Sequence, residues 1–176
     1  TAQGENAEIV VELPDLANSW SLMGGTYAYI DLELTVPNDL QLDIKDSSGD
    51  VEIEGVSTLS LKDSSGDVRL EDIEGSVMLN DSSGDLVLED IEGDVTVDSD
   101  SSGDIRGRDV EGSVLVRRDS SGDIRFIDVS RDYTVERDSS GDITAKGVGG
   151  DFNVLADGSG DIVAKNVQGN IVKPKG

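Results

Sequence analysis

One pentapeptide, Asp-Ser-Ser-Gly-Asp, limits what this chain can fold into more than any other feature. It begins at Asp46, Asp63, Asp81, Asp100, Asp119 and Asp138, and a seventh copy, Asp-Gly-Ser-Gly-Asp, begins at Asp157. Successive copies start 17, 18, 19, 19, 19 and 19 residues apart. A period this constant is the signature of a solenoid, in which like units stack and each contacts only its neighbours.

Between the copies the apolar residues keep register. Counted from the leading Asp, the sixth position reads Val51, Val68, Leu86, Ile105, Ile124, Ile143, Ile162, and the eighth reads Ile53, Leu70, Leu88, Gly107, Phe126, Ala145, Ala164. From the second unit on, the eleventh reads Ile73, Ile91, Val110, Val129, Val148, Val167. Positions fifteen and seventeen give Leu59, Val77, Val95, Val114, Tyr133, Phe152, Ile171 and Leu61, Leu79, Val97, Val116, Val135, Val154, Lys173. Two alternating, β-branched stretches per unit, parted by a Gly at position thirteen in most units, predict short strands with one buried face. A strand that cannot bury that face within its own unit must lie parallel on the equivalent strand of the next. The expected fold is therefore all-β: a single-stranded parallel β-helix of about seven coils, roughly 34 Å long at about 4.8 Å per coil. Right-handed winding is the hand expected for parallel crossovers. At Gly107 the eighth column has a hole, and the ring of Phe126 one coil later is placed to lean into it.

Composition narrows the chemistry. The 176 residues include 38 Asp and Glu against 14 Lys and Arg, a net charge of -24, with neither His nor Cys. Thiol nucleophiles, Ser-His-Asp triads, disulfides and imidazole or thiolate metal sites are thereby excluded. So acidic a surface repels phosphate backbones, so nucleic acid is not an expected partner. High charge and low hydrophobicity also mark disordered chains, but disorder would not hold five apolar columns in register. No run of about 18 apolar residues is present, so membrane insertion is not expected. The polar start, Thr1-Ala2-Gln3-Gly4-Glu5-Asn6, suits a chain trimmed behind an export signal.

The pentapeptide reads as a corner. Its Gly fits a residue at positive φ, and its leading Asp suits capping of the N–H groups that follow. Stacking would put Asp46, Asp63, Asp81, Asp100, Asp119, Asp138 and Asp157 in one column and the trailing aspartates in another. Like charges one strand spacing apart repel, and three devices can offset them: backbone and Ser hydrogen bonds, Arg neighbours such as Arg118 and Arg137, or bound cations. The seven leading aspartates are on that ground candidate calcium ligands, and calcium is the one cofactor expected, as an alternative to a simple capped turn. A second candidate site comes from the basic residues, half of which lie between positions 106 and 137. Arg106 and Arg125 share a column, and with Arg108 they form a possible patch for an anionic ligand such as a carboxylated glycan. Beside Asp104 and Asp123 the same patch would imitate the Asp/Arg chemistry of solenoid polysaccharide lyases; the alternative is charge compensation between coils.

Val36-Pro37-Asn38-Asp39-Leu40-Gln41-Leu42-Asp43-Ile44-Lys45, leading into Ser-Ser-Gly-Asp-Val and then into further Ser-Gly-Asp-Ile units, resembles a large bacterial family described as adhesins, most of whose members have no known function. The resemblance covers residues 27–173. It implies an exported protein of the periplasm or bacterial cell surface with a β-solenoid fold, and it brings no site residues.

Residues 1–45 lack the repeat and read as an N-terminal cap of the same domain, the solenoid occupying 46–176. Strand-like alternation at 7–13 and 27–36 flanks a loop at 18–26, and Trp20, Met23 and Tyr27 are expected to close the open end of the core. At the other end Lys173 and Pro174 blunt the exposed edge, so a monomer is expected. These features together predict a non-enzymatic structural or adhesive solenoid that meets an unidentified surface or glycan ligand. A calcium-dependent binding module is the alternative, and a carbohydrate-active enzyme a distant one.

Overall fold

The computed structural model describes residues 32–37 and 39–175. The chain separates into two compact units between Thr35 and Val36. Of the first, only residues 32–35 are described, and they carry no regular element. The expected strand at 7–13, the loop at 18–26 and the cluster of Trp20, Met23 and Tyr27 lie outside the described residues. The second unit holds all fifteen strands and, among the described residues, no helix.

Two parallel sheets face each other. One contains β1 (Gln41–Lys45), β3 (Thr58–Lys62), β5 (Val77–Asn80), β7 (Val95–Ser99), β9 (Val114–Val116), β11 (Tyr133–Val135), β13 (Phe152–Val154) and β15 (Ile171–Val172), hydrogen-bonded in that order. The other contains β2 (Val51–Glu54), β4 (Val68–Ile73), β6 (Leu86–Ile91), β8 (Ile105–Val110), β10 (Ile124–Val129), β12 (Ile143–Val148) and β14 (Ile162–Val167), likewise in sequence order. Every coil gives one strand to each sheet and passes a corner between them, which makes the fold a parallel β-solenoid. Gln41–Lys45 belongs to this stack: β1 pairs in parallel with β3, so the first rung precedes the first pentapeptide.

The five apolar columns supply the core. Val68, Leu86, Ile105, Ile124 and Ile143 stack within one sheet and Val77, Val95, Val114, Tyr133 and Phe152 within the other, all buried. Phe126 is in register with Gly107, and a Cβ on Gly107 would stand 2.1 Å from its ring, so the ring occupies the space a side chain would need. Tyr133 lies 5.2 Å from Phe126 and 5.1 Å from Phe152, centroid to centroid, giving the fifth and sixth coils an aromatic centre drawn from both sheets.

Unequal coil lengths leave the strands in register. Between β5 and β7 the pairing runs Leu79↔Val97 and then Asn80↔Ser99, so Asp98 is an extra residue bulged out beside the corner.

Candidate functional site

At the pentapeptide corner, backbone hydrogen bonds run both between coils and within the turn. The corner glycines adopt φ from +115° at Gly49 to +142° at Gly160, the region where a side chain is strained. Their N–H groups donate along the stack, as from Gly84 to Ser102 O at 3.0 Å and from Gly103 to Ser121 O at 3.2 Å. The second Ser of the five motifs from Asp63 to Asp138 adds a rung: Ser65 Oγ donates to Ser47 O and Ser121 Oγ to Ser101 O, both at 3.1 Å.

The two aspartate columns have opposite fates. The trailing carboxylates lie at the surface, and each accepts from the backbone N–H of the next trailing Asp: Asp67 to Asp50, Asp85 to Asp67, and onward to Asp161 on Asp142, at 2.8–3.0 Å. Asp94, Asp132 and Asp151 repeat the device at a second corner. Such charge-assisted bonds offset the repulsion within the column. The N–H of Asp104, with the Arg106 guanidinium, holds the Asp85 carboxyl below the usual carboxylate range.

The leading aspartates turn inward. Asp63, Asp81, Asp100, Asp119 and Asp138 are only 1–2 % exposed. In four of them Oδ1 caps the turn, accepting from Ser64 N–H, Ser82 N–H, Ser102 N–H and Ser140 N–H, while Oδ2 is buried without a partner. In Asp119 neither oxygen has one. Burial, reinforced by the charge of Asp81, raises Asp100 to about 6; burial, with Asp100 and Asp138 alongside, raises Asp119 to about 7. Asp81 and Asp138 are raised too, chiefly by burial. Asp46 and Asp157, in the first and last copies, are partly exposed.

Of the three offsetting devices, backbone hydrogen bonds are seen in both columns. Among the described residues no group of three or more Asp or Glu side chains converges as a metal cage. Arg118 and Arg137 make no ion pair with the leading column within 4.0 Å. Turn N–H groups are the partners of Asp63, Asp81, Asp100 and Asp138.

Of the arginine candidates, Arg106 bridges Asp85 at 2.7 Å and also pairs with Asp104, and Arg108 pairs with Glu89 at 3.0 Å. Arg125 stacks on Arg106 in register but makes no ion pair among the described residues. Two of the three guanidiniums are thus engaged between coils, as compensation requires. Glu89, held low by Arg108, also receives Arg69 at 2.7 Å, so one carboxylate joins three coils.

A feature the repeat did not announce runs along the opposite corner. There Asp72, Asp90, Asp109, Asp128 and Asn166 adopt φ of 53–56°, and Gly55 and Gly147 hold the same position. With Glu74, Glu92 and Glu111 they line a shallow acidic groove of about 1240 Å³. Its signal was in the sequence: a column reading Gly, Asp, Asp, Asp, Asp, Gly, Asn holds only residues that tolerate the left-handed region.

Fold and corners define a parallel β-solenoid whose polar side chains mostly join one coil to the next. The Toastrack DUF4097 family model matches residues 2–166, and the chain belongs to that family, whose function is unknown. No curated protein and no solved structure matches the chain.

Proposed function

We propose that this Toastrack solenoid is a non-enzymatic structural rod of the bacterial envelope, exported to the periplasm or cell surface, with adhesion to a surface or glycan as its task. One observation supports the reading above others. The repeated polar residues that an active site would draw on are mostly engaged within the stack, the second Ser, the trailing Asp and two of the arginines between coils and the leading Asp in its own turn. No long insertion breaks the coils to carry a separate site. An uninterrupted stack of this kind resists bending and presents constant side-chain rows, which suits spacing or multivalent contact. Of the Asp/Arg pairs that the polysaccharide-cleaving alternative would use, Arg106 beside Asp104 is held between two carboxylates, which leaves it only Arg125 beside Asp123.

The test is to express the tagged gene in its native bacterium, fractionate the cells and treat whole cells with protease. Isolated protein is then offered to envelope preparations and to a panel of acidic and neutral glycans. Envelope location and retention on one of these surfaces, without release of sugar products, is the expected result. A wholly cytosolic protein, or one that liberates oligosaccharides, would overturn the proposal.

A further inference from the structure

The leading aspartate column presents an electrostatic problem that the fold alone leaves open. Five carboxyls, one per coil, are buried in consecutive coils, with Oδ2 unpartnered in all five. Backbone bonds keep them in register, each Asp N–H donating to the carbonyl that precedes the next Asp: Asp81 to Ser99 O, Asp100 to Arg118 O and Asp119 to Arg137 O, each at 2.9 Å. Neighbouring carboxyls are therefore about one strand spacing, ~4.8 Å, apart. Ionised carboxylates that close, and out of water, cannot all persist without a counter-charge.

The groups facing the column supply none. Within the column each member feels its neighbours, from Asp63 to Asp157. From the surface row Asp85 adds negative charge at Asp100, and Asp123 at Asp138. From β11 comes the hydroxyl of Tyr133, fully buried, without a partner, and pushed up by burial and by Asp138 and Asp119. The nearest guanidiniums in sequence, Arg118 and Arg137, make no ion pair with the column.

We propose that the interior column of leading aspartates is a proton-holding spine: the central carboxyls, Asp100 and Asp119 foremost, bind protons from solvent as the solenoid folds and keep them at neutral pH. Each proton removes a buried charge and turns an orphaned Oδ2 into a donor towards its neighbours in the column or Tyr133. The raised acidities of Asp100 and Asp119 fit this picture.

The sign is opposite to ordinary acid denaturation. Unfolded, these carboxyls titrate near ~3.9; folded, Asp100 and Asp119 titrate at about 6 and about 7. Their stabilising effect is complete below the unfolded value and is lost as pH rises through the folded ones. Between those limits the folded state binds more protons than the unfolded state, and the folding constant falls about tenfold per pH unit for each extra proton. The rod is thus firmer in mildly acidic surroundings and loosens from its centre in alkaline ones.

The test uses the full chain and its D100N/D119N variant. Asn keeps the size and the Oδ1 acceptor and supplies N–H in place of the bound proton. Side-chain carboxyl carbons are followed by NMR from pH 3 to 9, and melting temperature is measured across the same range with and without calcium. At least two carboxyls of the parent should titrate between pH 5 and 8, and its melting temperature should fall over that interval. In D100N/D119N both effects should largely vanish, with a higher melting temperature than the parent at pH 8. Parent carboxyls that all titrate below pH 5 would overturn the proposal. So would a calcium-induced rise in the parent's melting temperature at pH 8 that D100N/D119N lacks, since cations would then be the counter-charge. Should the variant fail to fold, the carboxyl titration of the parent decides alone.

Discussion

Replacing Gly103 by Ala measures what the corner contributes. The backbone there sits at φ +133°, and a Cβ would stand 1.8 Å from the carbonyl oxygen of Gly84 in the coil before. Holding a non-glycine residue in such a conformation costs about 1–3 kcal/mol. Real Cβ atoms keep at least 3.0 Å from such neighbours, so the two coils must part by roughly 1 Å at this corner. That separation weakens the bond from Gly84 N–H to Ser102 O, at 3.0 Å, and the bond from Asp104 N–H to Asp85 Oδ1, at 2.9 Å. Hydrogen bonds of this kind contribute about 0.5–1.5 kcal/mol each, so the whole change should cost roughly 4 kcal/mol. Gly49 provides the internal control: φ is +115°, but among the described residues no atom lies within 4 Å of its would-be Cβ. Gly49→Ala therefore carries the strain without the collision and should cost about 1–3 kcal/mol. At Gly160 the collision with Gly141 O is the same 1.8 Å, but among the described residues its N–H meets no further corner, so within this chain Gly160→Ala should fray the final coil only. Urea unfolding followed by circular dichroism gives the global costs, and amide exchange locates the fraying. Finding Gly103→Ala no less stable than Gly49→Ala would refute the reasoning, because contact between coils would then carry none of the cost.

Gly107→Ala should destabilise by about 1–3 kcal/mol through overpacking on Phe126, and should cost less in a Phe126→Leu background; equal costs in both, by denaturant titration, would disconnect the pair. Arg106→Ala should lower stability by about 1 kcal/mol or less, because the Arg106 side chain is 47% exposed to screening solvent; a large loss that persists at high salt would point to a role beyond charge compensation. Lys173 donates to Ile162 O at 2.5 Å across the last coil. Replacing Lys173 by Val and Pro174 by Thr removes that cover and restores an N–H donor at the edge, so light scattering should detect end-to-end assembly in the double variant and a monomer in the parent.

Most of the fold was legible in the sequence because the repeat samples each position seven times. A lone Ile at position six carries little weight, whereas Val51, Val68, Leu86, Ile105, Ile124, Ile143 and Ile162 together fix a buried column. The filling of Gly107 by Phe126 followed from the same register. The direction of the leading aspartates was not legible. Alternation from Leu61 and Leu79 carries only Asp63 and Asp81 inward, because from Asp100 on an extra residue before the corner breaks that parity. Asp at a turn ordinarily faces water, so its composition argues for the surface even as the stack buries it. For the arginines, position gave the stacking of Arg106 on Arg125 but not the partner each would choose, since long side chains reach carboxylates on either neighbouring coil. The groove of left-handed aspartates was less legible for a simpler reason: its column carries no hydrophobic pattern, and its regularity lies in backbone tolerance.

The bulge that absorbs Asp98 bears on how such a rod can vary. Coil length changes beside a corner there, while the strand pairings to the coils on either side, Val77 with Val95 and Val95 with Val114, continue unshifted. The corners thus behave as joints of adjustable length between strands that keep their register. A lineage can add or drop residues at a joint, or duplicate a whole coil, with little disturbance to the neighbouring coils. An engineer can use the same freedom by grafting a recognition loop beside Asp98, where the stack already tolerates an unpaired residue.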